Sequence, residues 1–349
     1  MGCSVEQIAG VLVNPAHGVS QSILEKRKPS EYAMRQAKQA LAVVSSTWPD
    51  LTKEGRPRPS MRNAMLAMQR LELRFAHDLF RHRKTIEGRL IQEYQGSLSD
   101  DACSALRHMI IEQFGFDPGK DPTRDAAETL AIGNRFHPIR DYLTGLRWDG
   151  ASRLDGWMTE YLGADATPLN AAIGRIVLIA AVRRVREPGA KFDSILVLEG
   201  EQGVGKSSAI KILAGPENFS DQNILTLDPK AQMELLEGVW IYELCGLEGL
   251  SRAETSKVKA FASRSADHSR PAYARFKESR PRQTIFIGTA NDDKYLRDMT
   301  GNRRFWPVKV GKIDLEALQR DHDQLFAEAA YWGGEGGVAG PARRAMAGR

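Results

Sequence analysis

The fold of this 349-residue chain is decided by one stretch of sequence, FDSILVLEGEQGVGKSS at residues 192–208. Its first part, Phe192 to Gly200, is a short apolar run that ends in glycine, which is typical of a buried strand. Glycines recur at 203 and 205, and apolar residues at helical spacing follow from Ser207 to Leu213. The stretch therefore predicts a buried strand, a tight glycine turn and a helix.

Residues 200–207 match the pattern GxxxxGK[ST] of loops that bind nucleotide phosphates. In such a loop, backbone N–H groups and the N-terminus of the following helix face an anion. We expect Lys206 to neutralise the outer phosphates and the Ser207 hydroxyl to bind Mg²⁺; a chance turn is the alternative. The predicted nucleotide-binding residues are Gly200, Gly203, Val204, Gly205, Lys206, Ser207 and Ser208.

Further short apolar runs follow the loop, with helical patterns between them. They lie at residues 223–227, 239–244, 284–288 and 305–310. This alternation indicates a mostly parallel sheet with crossover helices. The expected fold class is α/β, a P-loop nucleotide-hydrolase core preceded by an α-helical N-terminal region.

Polar residues at the ends of these runs are the candidate catalytic groups, because hydrolysis needs groups from neighbouring strands. Glu243 ends one strand and is expected to help hold Mg²⁺, whereas Asn291 follows another and is expected to orient water. Arg303 and Arg304 precede the last run, and in a ring one of them would reach a neighbouring subunit's nucleotide as an arginine finger. The alternatives are an ordinary glutamate at a strand end and a turn with solvated cations.

Two basic stretches are candidate nucleic-acid contacts. Residues 264–282 carry six Lys/Arg against two Asp/Glu and include aromatic residues, a composition suited to phosphate neutralisation and base stacking. A solvated surface loop explains this composition equally well. Residues 52–90 carry ten Lys/Arg against four Asp/Glu, and there a merely soluble face is the favoured explanation. The predicted DNA-binding residues are Arg264, Arg270, Tyr273, Arg275, Lys277, Arg280 and Arg282.

The remaining chain is divided by composition. Helical spacing predicts helices at Val5–Val13 and Glu31–Val44, and the Pro- and Arg-rich residues 53–60 indicate a linker. The Gly-, Ala- and Arg-rich end is expected to be disordered. The predicted regions are 1–52 (helical), 53–60 (linker), 61–114 (helical), 115–190 (helical lead-in), 191–332 (core) and 333–349 (tail).

Composition excludes several classes of protein. A hydrophobic content of 42% and a charged content of 27% are ordinary for globular domains, which excludes a wholly disordered chain. The three cysteines have neither disulfide-framework nor zinc-site spacing. No apolar run approaches the roughly 20 residues that span a bilayer, and no signal-peptide core is present. We therefore expect a cytoplasmic protein without a membrane partner.

Four stretches in one order resemble the virulence-associated protein E family, phage and genomic-island ATPases similar to superfamily-three helicases. The resemblance covers roughly residues 115–330. It implies an AAA+-like ATPase that uses ATP and Mg²⁺ and assembles as a hexameric ring. It also implies that the protein acts on DNA when a mobile element replicates, and we expect this DNA to be single-stranded. It also implies that a hairpin at residues 264–282 contacts DNA. The stretches are FHPIRDYLTGLRWDG (136–150), REPGAKFDSILVLEGEQGVGKSS (186–208), WIYELCGLEG (240–249) and FIGTANDDKYLRDMTGNRRFWPV (286–308).

The sequence departs from this family at two places. Relatives tend to carry a second acidic residue three positions after the first, where this chain has Gly246, and Glu248 is the nearest acid in sequence to replace it. Relatives also often follow a primase-like domain, whereas here only Ser4 to Ile23 resembles the segment that joins one, so a separate primase is an expected partner. Two alternatives to a helicase-like ATPase follow: an ATP-switched DNA-binding or assembly protein with little hydrolysis, and a truncated inactive member.

Overall fold

The structure is a computed structural model that describes residues 5–16, 21–26, 28–46, 48–94, 96–247, 251–269, 277–291 and 302–334. The chain divides into two compact units. The first comprises residues 1–76 and 84–134, and the second comprises residues 77–83 and 135–349. Among the described helices, none is long and apolar enough to cross a membrane.

The first unit is mainly helical. Its helices are α1 (Val5–Val13), α2 (Gln21–Leu24), α3 (Pro29–Ser46), α4 (Met61–Arg70), α5 (Asp100–Phe114) and α6 (Lys120–Gly133). The helices predicted at 5–13 and 31–44 are thus present. The core formed by α4, α5 and α6 contains Met68, Leu106 and Ile110, which are fully buried.

The prediction that residues 61–114 are helical is wrong at their centre. Strands β1 (Arg74–Asp78) and β2 (Arg83–Glu87) lie there, followed by a 3₁₀ segment, Arg89–Tyr94. The turns before and between these strands use non-glycine residues with positive φ, Glu72 at 55° and His82 at 50°. Scarcity of Gly and Pro therefore suggested continuous helix where turns of unusual sequence occur.

The segment predicted as a linker, residues 53–60, is folded onto α4. Ser60 caps the helix by accepting a hydrogen bond from the Asn63 backbone N–H (3.2 Å). The buried amide of Asn63 also donates to the carbonyl oxygens of Asp50 (2.7 Å) and Arg58 (2.8 Å). These bonds satisfy backbone groups on both sides of the segment, which belongs with its two flanks to the first unit.

The second unit is an α/β domain built on a five-stranded parallel sheet in the order β10-β4-β9-β6-β5. The expected α/β class with a mostly parallel sheet is confirmed for this unit. A short strand, β3 (Arg135–Phe136), pairs with β1 through His77 and Asp78. The sheet strands are β4 (Ile195–Glu199), β5 (Phe219–Ser220), β6 (Ile241–Leu244), β9 (Ile285–Ala290) and β10 (Phe305–Lys309).

Hydrophobic cores cover both faces of this sheet. In β4, Leu196 and Leu198 belong to one buried cluster, whereas Ile195 and Val197 belong to another. Alternate residues of a strand face opposite sides, so apolar runs without polar alternation are what a sheet covered on both faces requires. The helices of this unit are α7 (Pro138–Gly145), α8 (Trp157–Leu162), α9 (Pro168–Arg186), α10 (Lys206–Ala214), α11 (Pro229–Leu235), α12 (Arg252–Ala262) and α13 (Leu315–Trp332).

One predicted strand is misplaced. The run at residues 223–227 forms a turn, and the edge strand is β5, Phe219–Ser220. Ile224 is 1% exposed and joins the core below the sheet, whereas Leu227 is 37% exposed. The apolar run therefore reflects one buried side chain in a loop, Ile224, and its pattern resembles that of a buried strand.

An antiparallel hairpin precedes β9. It consists of β7 (Ala266–Ser269) and β8 (Glu278–Pro281), with Asp267 opposite Arg280. Residues 270–276, between the two strands, lie outside the described residues. The resemblance implied a hairpin in this interval, and the described strands form its base.

Candidate functional site

The glycine-rich loop joins β4 to α10 at the carboxyl edge of the sheet. Gly203 and Gly205 have φ values of 85° and 99°, which only glycine adopts readily. Gly205 also caps α10, and this cap makes no side-chain hydrogen bond to the helix. The first N–H groups of a helix lack partners within the helix, so this end of α10 favours a negatively charged group.

The ammonium group of Lys206 lies over the loop. The residue is 7% exposed, and its Nζ donates to the carbonyl oxygens of Gly200 (2.7 Å) and Glu201 (2.8 Å). It also donates to Oδ1 of Asn291, at 3.2 Å. A buried cation is costly unless it is well hydrogen-bonded, and these three acceptors supply that compensation. The predicted lysine and the predicted Asn291 therefore meet at one point.

Glu243 meets the loop from the other side. The residue is 1% exposed, and its Oε1 accepts hydrogen bonds from the hydroxyls of Ser207 (2.7 Å) and Thr289 (2.8 Å). Its Oε2 is buried, and none of the residues that the structure describes gives it a hydrogen bond. Buried polar atoms are nearly always hydrogen-bonded, so an orphaned carboxylate oxygen indicates a position meant for another group.

Strand order explains why these side chains converge. β9 lies between β4 and β6, so the carboxyl ends of all three strands are adjacent. Glu243 and Thr289 alternate with Tyr242 and Phe286, which face the opposite core. Both polar side chains therefore lie on the face that α10 covers.

The sequence prediction missed Thr289. The signal was present, because this threonine interrupts an apolar strand and stands two residues before Asn291, on the same side of the chain. Its hydrogen bond to Glu243 became apparent only once β9 was known to be the neighbour of β6.

A cleft of about 540 Å³ opens beside Glu243, over the ends of β5 and β6. Cys245 lines it, and partial withdrawal of the sulfur from solvent, together with the charges of Glu243 and Asp221, raises the pKa of this thiol to about 12. The thiol is therefore protonated at neutral pH and is a weak nucleophile. Asp221 and Glu254 also line this cleft.

Comparison with protein families identifies the second unit. The model of the virulence-associated protein E-like domain matches residues 143–338, more than half of the chain. The chain belongs to this family. The expected resemblance is thus confirmed, and the match contains the glycine-rich loop, Glu243 and Asn291.

Other comparisons add little to this assignment. No curated protein matches the chain. Two solved structures are similar to parts of the chain. One is "The A form apo structure of NrS-1 C terminal region-CTR", which is 11% identical to this chain with a TM-score of 0.49. The alignment covers 78% of this chain and 69% of the NrS-1 chain. The other, a form of the same region (305–718), is 12% identical, covers 76% and 66%, and scores 0.44. Neither likeness supports an inference about the site.

The two candidate arginines of this virulence-associated protein E-like domain lie away from the loop. Phe305 pairs with Ile195, so Arg303 and Arg304 stand at the amino edge of the sheet, opposite Lys206. Arg304 donates to Asp193 at 3.1 Å, whereas Arg303 is exposed. Burial raises the pKa of Asp193, but the hydrogen bond from Arg304 and nearby positive charge outweigh it, so the pKa is lowered overall. Neither arginine can complete the site of its own domain.

The basic segment divides into residues that hold the domain together and residues that are exposed. Arg282 is 3% exposed, donates to both carboxylate oxygens of Asp267 and to the Phe261 carbonyl, and stacks on the Phe261 and Phe286 rings. It cannot contact DNA in this conformation, so its assignment as a DNA-binding residue is wrong. Arg280 is paired with Glu237 and Glu278 and is mostly buried.

The DNA-binding role of the exposed part of the basic segment stays a prediction. The Arg264 side chain is 42% exposed and donates to Gln232, and Lys277 is exposed. Arg270, Tyr273 and Arg275 lie outside the described residues.

The arrangement fits a magnesium nucleotide. Within the described residues, no cluster of three or more His, Cys, Asp or Glu side chains could hold a metal ion alone. Mg²⁺ in nucleotide sites is commonly held by one or two protein oxygens, substrate phosphates and water. The Ser207 hydroxyl and the orphaned Oε2 of Glu243 supply such oxygens beside the loop.

Proposed function

We propose that this virulence-associated protein E-like domain is a P-loop ATPase that acts on DNA during replication of a prophage or genomic island. The observation that carries the proposal is the joint placement of Lys206 and Asn291 above the loop, with Ser207 and Glu243 beside it. Mg²⁺, when bound, would neutralise charge on the phosphates. The family likeness supports the replication role.

Each residue of the loop site has a separate task in this proposal. The backbone N–H groups of the loop and the start of α10 bind the phosphates, and Lys206 neutralises the charge that develops on the terminal phosphate. Glu243 holds the Ser207 hydroxyl in place through a 2.7 Å hydrogen bond. Asn291, which already accepts from Lys206, donates its amide to the attacking water.

In the proposed DNA-bound state, the protein forms a hexameric ring, and the β7–β8 hairpin contacts the single strand of DNA. Arg303 is the better candidate for an arginine finger, because Arg304 is paired with Asp193. Both lie at the edge opposite their own loop, as a residue acting on a neighbouring subunit requires. A separate primase is the proposed partner at the origin.

Turnover of ATP by the full chain, with and without single-stranded DNA, tests the proposal. We expect Lys206→Ala to reduce turnover to background, because the phosphates lose their main positive partner. Lys211→Ala is the matched control, since Lys211 lies exposed on the same helix. Equal turnover by the parent and Lys206→Ala under both conditions would overturn the ATPase assignment.

A second candidate function is an ATP-switched DNA-binding or assembly protein with little hydrolysis. Gly246 favours it, because this residue stands where relatives carry an acid and adopts a φ of 64°. A glutamate introduced there would have open space but a strained backbone. The two functions separate when oligomer mass and turnover are measured together: ATP-dependent assembly with turnover no greater than that of Lys206→Ala supports the switch.

A further inference from the structure

Hydrolysis of ATP, the function proposed above, needs a base for the attacking water. Gly246 offers no side chain, and Glu248 lies outside the described residues. Glu243 is committed through Oε1 to the hydroxyls of Ser207 and Thr289. Among the described residues, a second carboxylate would have to come from another element that borders the same cleft.

Three described acidic residues line the cleft: Asp221, Glu243 and Glu254. Glu254 belongs to the capping box that begins α12, where its carboxylate accepts the Ser251 backbone N–H at 2.8 Å. This hydrogen bond and the one with the Ser251 side chain lower the pKa of Glu254. Its carboxylate is held by the helix start, which makes it a capping group.

Asp221 is placed differently. It follows β5, which pairs in parallel with β6 so that Phe219 is opposite Ile241 and Ser220 is opposite Tyr242. Asp221 is the first residue after β5, and it lines the same cleft as Glu243 at the end of β6. Phe219 and Ile241, which pair across the two strands, pack in the same core, so the backbone that leads into Asp221 is fixed against β6.

The surroundings of Asp221 suit a group that exchanges protons. The residue is exposed, and its backbone oxygen lies 3.9 Å from the Cys245 sulfur, on the cleft wall. Tyr242 anchors the loop behind it by donating its hydroxyl to the Gln222 carbonyl. The carboxylate is thus on an anchored backbone while its side chain stays accessible to water.

We propose that Asp221 is the general base of ATP hydrolysis in this chain, in place of the acid that Gly246 lacks. The Asp221 carboxylate takes one proton from water as the water oxygen forms a bond to the terminal phosphorus. The bond between that phosphorus and the bridging oxygen breaks, and its electron pair leaves with ADP. The proton then passes from Asp221 to the released phosphate. This inference rests on the proposed ATPase function.

The test compares Asp221→Asn with Glu254→Gln and Glu248→Gln, in the full chain with ATP, Mg²⁺ and single-stranded DNA. We expect Asp221→Asn to lower kcat about 100-fold, a typical contribution of a general base, with the Kd for ATP unchanged. Asp221→Glu should retain part of the activity. Glu254→Gln should leave kcat within about twofold, because its carboxylate is held by the start of α12. Glu248→Gln is the rival variant, and it should lower kcat far less than Asp221→Asn. Melting temperatures of all variants establish that each is folded.

The possible outcomes separate the two proposals. A parent that binds ATP without turnover overturns both the ATPase assignment and the base. An active parent with an equally active Asp221→Asn overturns the base alone. Loss of kcat in Glu248→Gln, with Asp221→Asn unaffected, also overturns it and transfers the role to Glu248.

Discussion

Two buried ionic clusters in the second unit are built from similar side chains and differ in completeness. At the base of the β7–β8 hairpin, Arg282 and Asp267 form two hydrogen bonds, and Arg282 also donates to the Phe261 carbonyl. At the glycine-rich loop, Glu243 is equally buried, but one of its oxygens has no hydrogen-bond partner within the described part of the chain. The first cluster satisfies itself, whereas the second has capacity for another group.

This difference separates a structural role from a binding role. A buried charge pair that satisfies its hydrogen bonds contributes by avoiding the penalty of an unpaired ion. A buried carboxylate with an unused oxygen costs free energy, and such costs are tolerated at functional sites. Composition cannot make this distinction, because both clusters combine charged residues with nearby aromatic or hydroxyl groups.

The largest expected effect is at the hairpin base. Asp267→Ala should lower the free energy of unfolding by about 3–5 kcal/mol, because it leaves the Arg282 guanidinium buried and unpaired. Urea denaturation measures this change. The double variant Asp267→Leu/Arg282→Met should recover much of the loss, since it removes both charges. A loss below about 1 kcal/mol in the single variant would contradict a structural role for this pair.

The loop site should respond in the opposite way. Glu243→Gln preserves the side-chain shape and an oxygen that accepts from Ser207 and Thr289, so we expect stability without nucleotide to change by less than about 1 kcal/mol. Turnover of ATP should fall about 100-fold, because the carboxylate charge that we propose helps to hold Mg²⁺ is lost. Urea denaturation and a phosphate-release assay test the two parts. Destabilisation matching that of Asp267→Ala would remove the contrast between the clusters.

A smaller effect is expected at Thr289. Thr289→Val keeps the shape of the side chain and removes the 2.8 Å hydrogen bond to Glu243, so turnover should fall about tenfold. Thr289→Ser keeps the hydroxyl and should retain most activity. The ratio of the two kcat values is the measurement. Equal activity in both variants would show that the bond to Ser207 alone positions Glu243.

The smallest effect concerns the exposed cations next to the hairpin. Arg264→Ala and Lys277→Ala should each reduce the slope of log affinity against log salt for single-stranded DNA by about 0.7, as expected when one phosphate contact is lost. Fluorescence anisotropy over a range of salt gives the slope, with Lys211→Ala as the control. An unchanged slope in both variants would remove these residues from a DNA contact.

The local elements of the second unit were predictable because their signals are local. Glycines at 203 and 205 are read directly as a turn, and Lys206 and Ser207 follow as part of the same pattern. The strands β6, β9 and β10 were found from apolar runs alone. The edge strand β5 was missed because it consists of only two residues, Phe219 and Ser220, which form no apolar run.

Errors arose where a residue's environment depends on distant partners. Arg282 was assigned to DNA because its neighbours in sequence are basic, yet Asp267 and two aromatic rings enclose it. Near β1 and β2, the positive φ values of Glu72 and His82 concealed the turns before and between these strands. A single sequence does not indicate which distant residues will pair with an arginine. It also does not indicate which non-glycine residue will adopt a positive φ.

The sequence by itself determined the strand, the glycine turn, the helix and the identity of Lys206 and Ser207, because each depends on residues within one short segment. Only the tertiary structure decided that Glu243 and Thr289 meet beside Ser207, that Asp221 lines the adjoining cleft, and that Arg282 is buried against Asp267. The physical reason is that strand order brings together residues far apart in the chain, and burial then fixes which charges are paired and which keep a free position.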